Sequence, residues 1–260
     1  MIFSETVIMQ FLADTLLPFC RISGMFASMV GLSAKTIPTP VKSLFAVLLT
    51  IMMLPMIPKS PVVDLVNLGT FVLAIQQLVI GIAIGFVSMM VLNTFVLAGQ
   101  IIAMQTGLGF ASIIDPVNGI NVPAVGQFYL ILATLLFWTF DGHLAMIEMI
   151  AMSFQAFPIA DGWWQAEQFK AIAHWAAWMF TSAIVVTLAP IVSLLIVNLA
   201  FGVMTKAAPQ LNIFSIGFSI AQIMGLVIIW ITMANFVAHY QSQWQRAELM
   251  MCQLLRLCGT

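Results

Sequence analysis

The chain alternates long apolar runs with short polar breaks, and the run lengths predict its elements. A helix that crosses a bilayer needs about 20 apolar residues. The first candidate runs from about Val7 to Leu32 and contains Asp14, Pro18 and Arg21. A turn follows over Lys35 to Lys42, where Pro38 and Pro40 stand. Ser43 to Ile57 is a second apolar run, short for a span, closed by Lys59, Pro61 and Asp64. From Leu65 to Ile114 there is no charged residue. One crossing cannot use that much chain. Either two helices are joined tightly, or one long helix runs from about Leu68 to Met104 and continues past the hydrocarbon layer. Asn93, Thr94, Gly99 and Gln100 mark where a bend would fall.

Gln105 to Pro123 reads as a loop, because Gly107, Gly109, Pro116, Gly119 and Pro123 are too closely spaced for a continuous helix. Ala124 to Phe140 is predicted helical and to continue past His143 and Glu148. Pro158 to Lys170 is a polar connection in which Trp163 and Trp164 lie beside Asp161 and Glu167, a pairing that suits a membrane–water interface. Ala171 to Met204 is long and apolar, with Pro190 as its expected kink. Lys206 to Asn212 is a turn, and Ile213 to Val237 is the last long apolar run.

These runs predict an all-α fold: an integral membrane helical bundle of about six apolar segments, some of them long and kinked. Residues 1–260 form one membrane domain in this reading, with a polar loop at about 105–123 and an amphipathic tail at about 241–260 carrying Arg246, Glu248 and Arg256. The ten-residue alternation of a membrane β-barrel is not visible, and neither is an internal repeat.

Composition sharpens the picture. Of 260 residues, 62% are hydrophobic and 7% charged, against about 25% charged in soluble domains. So few charges cannot cover a water-facing surface, which leaves lipid or protein as the neighbour. The formal net charge of -1 gives no reason to expect a nucleic-acid partner. Cys20, Cys252 and Cys258 show no metal-ligand spacing and no disulfide framework. The N-terminus lacks a basic region before its apolar run and carries Glu5 and Asp14 early, unlike a signal peptide. Six crossings would put Lys35, Lys42 and Lys206 on one side and Lys59, Lys170, Arg246 and Arg256 on the other. That near balance leaves orientation open.

Candidate chemistry is sparse. His143, His174 and His239 lie far apart, and no nucleophile-elbow, zinc-protease or phosphate-loop motif occurs. An enzyme, a cofactor and a metal are therefore not expected. Asp14 and Arg21, seven residues apart, share a helix face. They line a pathway or meet another subunit, or else both sit hydrated near the interface. Gly81 and Gly85 form a GxxxG pair, which lets helix backbones approach closely within one chain or between chains. Gln76 and Gln77 precede it and either bond a neighbouring helix or face the interface. In the loop, Gly107, Leu108, Gly109 and Phe110 place a bulky ring on a bendable support, with Asp115 and Pro116 after it. Such a ring plugs a pore by dewetting it, or packs on the bundle as part of a surface turn. The nineteen methionines suit irregular contacts, but they are scattered.

Four stretches, taken in order, resemble the flagellar export-gate R subunit family (FliR), which is related to the injectisome T subunit. They are FCRISGMFASMVGLSAKTIPTPVK, QQLVIGIAIGF with AGQIIAMQTGLGFASIIDP, FDGHLAMIE, and NLAFGVMTKAAPQLNIFSIGFS. Ser219 departs from the pattern, which often has proline there. The resemblance implies a non-enzymatic subunit of the bacterial flagellar type III export gate, in the inner membrane at the flagellar basal body. It implies assembly with P and Q subunits into a channel for unfolded export substrates, and contact with the B-type switch protein and the A-type gate component. It also implies that the loop from Gly107 to Asp115 contributes to a plug, with Phe110 as the sealing residue. A polytopic small-solute transporter is the competing expectation, since Asp14, Arg21, Gln76, Gln77 and Asn93 can be read as midplane polar groups.

Overall fold

In the computed structural model, which describes residues 5–34, 37–58, 67–114, 121–159, 165–207 and 213–255, the apolar runs are helices. Helix α1 spans Glu5–Ser28 with Pro18 inside it. Helix α2, Thr39–Met53, starts directly after Pro38 with Pro40 in its first turn, where a missing N–H breaks no helical bond. It ends in a 3-10 turn at Leu54–Met56.

The uncharged stretch resolves into one long helix, α3, Leu68–Thr106, with Asn93, Thr94, Gly99 and Gln100 all inside it. Its 39 residues extend about 58 Å. Gly107 ends it at φ 77°, a left-handed conformation that costs glycine little. The expected loop then carries its own structure. A 3-10 turn at Leu108–Phe110 leads into strand β1, Ser112–Ile114, which pairs antiparallel with β2, Asn121–Pro123, so that Ile113 faces Val122.

Helix α4, Ala124–Thr139, does not continue past His143 as expected. The chain breaks at Asp141, held at φ 55°, and α5 follows over Gly142–Ala156 at 64° to α4. A left-handed residue cannot sit inside a right-handed helix, so the break is a corner. Helix α6, Ala166–Ala207, contains Pro190. The last apolar run also divides, into α7, Ile213–Thr232, a 3-10 turn at Met233–Asn235, and α8, Phe236–Leu254. The amphipathic tail thus begins earlier than Gln241. Tyr240, Gln243, Trp244, Ala247, Met251 and Leu254 recur every three or four residues and are buried, which is one helix face.

Four helical stretches are long and apolar enough to cross a membrane: Thr39–Met56, Leu68–Thr106, Ala166–Met204 and Ser219–Leu254. The bent pair α4–α5 makes a fifth. They stand beside the roughly six apolar segments of uneven length read from the chain. Cys20 keeps a free thiol and Cys252 is disulfide-bonded, a bridge that the spacing gave no reason to expect.

Packing divides the chain into two compact units. Unit one comprises residues 1–90, 137–175 and 246–260, and its core includes Leu17, Ile22, Met25, Ile84, Met146 and Phe154. Unit two comprises residues 91–136 and 176–245. There Phe95 meets the rings of Phe236 and Tyr240 at 5.0 and 5.8 Å, and Tyr129 meets Phe236 edge-on at 5.3 Å. In the same unit α3 and α4 touch backbone to backbone, since a Cβ on Gly99 would lie 2.7 Å from the Gly126 Cα.

Candidate functional site

Two places gather the residues singled out in the sequence. The first is the core of unit one around Arg21. This side chain is fully buried, in a helix with almost no other charge. Burying a guanidinium without partners would cost several kcal/mol, and the partners are present. Nε donates to the Gln77 side-chain oxygen at 2.7 Å. One terminal nitrogen donates to the Ser153 carbonyl at 2.8 Å and to its hydroxyl at 3.1 Å. The other donates to the Phe157 carbonyl at 2.8 Å. The Phe154 ring lies 4.3 Å from the guanidinium carbon, close enough for a cation–π contact.

The two carbonyls explain why a cation is tolerated. Ser153 and Phe157 stand at the C-terminal end of α5, where the helix dipole presents its negative end, and the Ser153 carbonyl accepts the Phe157 N–H at 2.9 Å as well. Arg21 therefore caps α5 from α1 and is anchored sideways to α3. Asp14 is half-buried and accepts a hydrogen bond from Gln10 at 3.0 Å. The shared face expected of Asp14 and Arg21 is thus not what holds Arg21. Gln76 and Gln77 are both buried, and the Gln77 side-chain nitrogen has no hydrogen-bond partner among the described residues.

Gly81 and Gly85 lie against the backbone of α1. A Cβ at Gly81 would run into the Arg21 carbonyl, and one at Gly85 would lie 2.6 Å from the Met25 carbonyl oxygen. Gly24 meets them from the other side, where a Cβ would lie 2.5 Å from the Leu78 carbonyl oxygen. The Ser28 hydroxyl, donating to the Ile82 carbonyl at 2.9 Å, ties the same crossing. The close approach puts Arg21 within reach of Gln77. Sequence reasoning missed Ser153, Phe154 and Phe157, and nothing local to those residues signals a role.

The second place is the end of α3 in unit two. Gly107 turns the chain, and the Leu108 N–H is 3.4 Å from the Thr106 hydroxyl oxygen. Gly109 packs close to Met104, whose sulfur would lie 2.6 Å from a Cβ there. The Ala111 N–H donates to the Leu108 carbonyl at 3.0 Å, and the Ala124 N–H to the Ala111 carbonyl at 2.8 Å. The loop is thus tied at its base, where the two strands pair. Phe110 closes the 3-10 turn through its backbone. Its side chain, and Asp115 and Pro116 altogether, lie outside the described residues. Gly225 on α7 packs against the Thr106 side chain just below the turn. Among the described residues no group of three or more His, Cys, Asp or Glu could hold a metal ion.

Residues 12–247, a stretch that contains both places, match the family described as bacterial export proteins, family 1. The flagellar biosynthetic protein FliR of Escherichia coli K12 is 33% identical over 87% of each chain. That of Pectobacterium carotovorum is 33% identical over 82% of this chain and 81% of its own. The surface presentation of antigens protein SpaR of Shigella flexneri is 24% identical over 62% of each chain.

Proposed function

Because the chain belongs to the bacterial export proteins, family 1, we propose that it is a non-enzymatic membrane subunit of the bacterial flagellar type III protein export gate. With P and Q subunits it forms the channel for unfolded flagellar substrates, in the inner membrane at the flagellar basal body. Family membership displaces the small-solute transporter. The flagellar branch is favoured because FliR relatives match at higher identity and over more of the chain than SpaR does. Contacts with the B-type switch protein and the A-type gate component belong to the same proposal, as does a single functional domain over 1–260.

One observation carries the reading beyond family membership. Helix α6 is apolar over Ala166–Met204, yet only 17% of its most apolar window is buried within the chain. Beyond Phe169 and the exposed Lys170, its exposed large apolar residues run from Phe180 to Met204, about 36 Å along a helix. So apolar a face needs lipid or protein against it. Neighbouring subunits of an assembled gate would supply the protein.

Within that gate the loop from Gly107 to Pro116 contributes the plug, and Phe110 seals it. A turn tied at its base that carries a phenylalanine fits a constriction that closes by dewetting. A strain lacking this chain is expected to retain flagellar substrates in the cell. Restoring the chain with Phe110→Ala should restore export while raising permeability to small ions. Normal secretion without the chain would contradict the export role, and unchanged permeability would remove Phe110 from the seal.

A further inference from the structure

Glycine inside a helix is poorer in propensity than alanine, so its presence there asks for a local reason. Three glycines on the helices of unit two answer differently. A Cβ at Gly202 on α6 would meet nothing among the described residues within 4 Å, and one at Gly217 on α7 would make ordinary contact with the Phe201 ring at 3.7 Å. A Cβ at Gly225, farther along α7, would run into the Thr106 methyl and lie 2.7 Å from the Thr106 Cβ. Gly225 belongs to the buried face of α7, together with Ala221, Ile228 and Ile229, which recur every three or four residues.

Thr106 is the last residue of α3, fully buried, immediately before Gly107 turns the chain out of the helix. Its side chain has three neighbours. The hydroxyl donates to the Ala103 carbonyl at 3.1 Å and accepts the Leu108 N–H at 3.4 Å. The methyl rests on Gly225. The two hydroxyl bonds and the β-branch fix the side-chain torsion and aim the methyl at α7. Rotation could carry the methyl away from an intruding group. It could not move the Cβ, which is fixed to the backbone.

We infer that Gly225 is a positioning residue for the loop that starts at Gly107. Helix α7 lies close enough to hold the Thr106 side chain in one orientation. Thr106 then holds the Leu108 N–H, and with it the direction in which the 3-10 turn Leu108–Phe110 leaves α3. The loop is therefore fixed at its strand pair and, through Thr106, by a helix more than 100 residues away in sequence. A displacement of α7 reaches the turn through this one contact. Its consequence for sealing rests on the proposed plug role of the loop, whereas the contact itself does not.

Hydrogen–deuterium exchange on the full-length chain, purified in mild detergent with the subunits that copurify, tests this. Gly225→Ala should speed exchange of the amides of residues 107–111 at least about ten-fold, since overpacking against backbone opens the structure locally. Gly217→Ala, the same substitution on the same helix, should leave them unchanged. Thr106→Ser removes the methyl and keeps both hydroxyl bonds, so alone it should also speed exchange there. Combined with Gly225→Ala it returns a methyl to the same contact, and exchange should fall back toward wild type. Thr106→Ser stands in if Gly225→Ala fails to accumulate. Unchanged exchange over 107–111 overturns the inference, and so does faster exchange spread equally over α4 and α8, because Gly225 would then be core packing alone. Small-ion permeability of cells carrying Gly225→Ala separates the two readings. Faster local exchange with raised permeability supports both, and faster local exchange with unchanged permeability keeps the contact and removes the plug.

Discussion

Without the Arg21 side chain, the Phe157 carbonyl and the Gln77 side-chain oxygen would lose this donor, and the Ser153 carbonyl would keep only the Phe157 N–H. Each stranded buried acceptor costs about 1–3 kcal/mol, partly offset because a costly charge is no longer buried. Arg21→Met, which keeps most of the volume, is therefore expected to lose roughly 2–4 kcal/mol of stability. Arg21→Lys should fall between, since an ammonium keeps the charge at the end of α5 but lacks the fork that reaches three partners. Thermal unfolding of the full-length protein in detergent should rank wild type above Lys and Lys above Met. A Met variant as stable as wild type would mean that the four bonds contribute nothing net. The sequence singled out Arg21 because a charge in an apolar run is costly. It could not show the partners, which lie 56, 132 and 136 residues along the chain. Asp14 was the candidate on the same helix, and Gln77, read as able to bond a neighbouring helix, proved to be one of the partners.

At the scale of elements, hydropathy located the helices well and their ends less well. The stretch from Leu65 to Ile114 left one helix or two open, because a tight turn and a long helix can carry the same apolar composition. One helix formed, with Asn93, Thr94, Gly99 and Gln100 accommodated within it. The α4–α5 corner was missed although the Asp141–Gly142 pair is an ordinary turn signal, because the apolar pattern continues on both sides of it. The division of α7 from α8 has no proline or glycine at the break and left no mark. Gly81 and Gly85 show the opposite case, where a spacing legible in the chain corresponds to a specific crossing. Gly81→Ala must push α1 off α3, because the added carbon meets backbone that cannot rotate away. Gly202, on α6, is different: a Cβ added there would meet nothing among the described residues within 4 Å. Gly202→Ala should therefore be neutral or gain up to about 1 kcal/mol from helix propensity in the isolated chain. Gly81→Ala should lower the unfolding temperature clearly, and equal behaviour of the two would mean that α1 and α3 do not depend on close approach.

At the scale of the whole molecule, the apolar surface is the main unexplained quantity for a chain standing alone. Helix α3 is largely buried in its own chain, whereas α6, α2 and the stretch from Ser219 to Leu254 are not. A lone polytopic protein would present such faces to lipid, and a gate subunit would present them to its neighbours. This is why composition reveals a membrane protein and yet does not say where the membrane lies: sister subunits and lipid accept the same residues. The loop proposed as a plug shows the same limit. Its glycines and Phe110 were legible, but the ribbon that ties its base depends on pairing across residues whose short strands carry little pattern of their own. If partner subunits cover the exposed apolar faces, the decisive quantity is the size of the species that this chain forms when co-expressed with P and Q subunits and extracted in mild detergent. One large complex is expected, in which all three copurify through a tag on this chain alone. A chain that elutes by itself, with the P and Q subunits in a separate peak, would contradict coverage by partners.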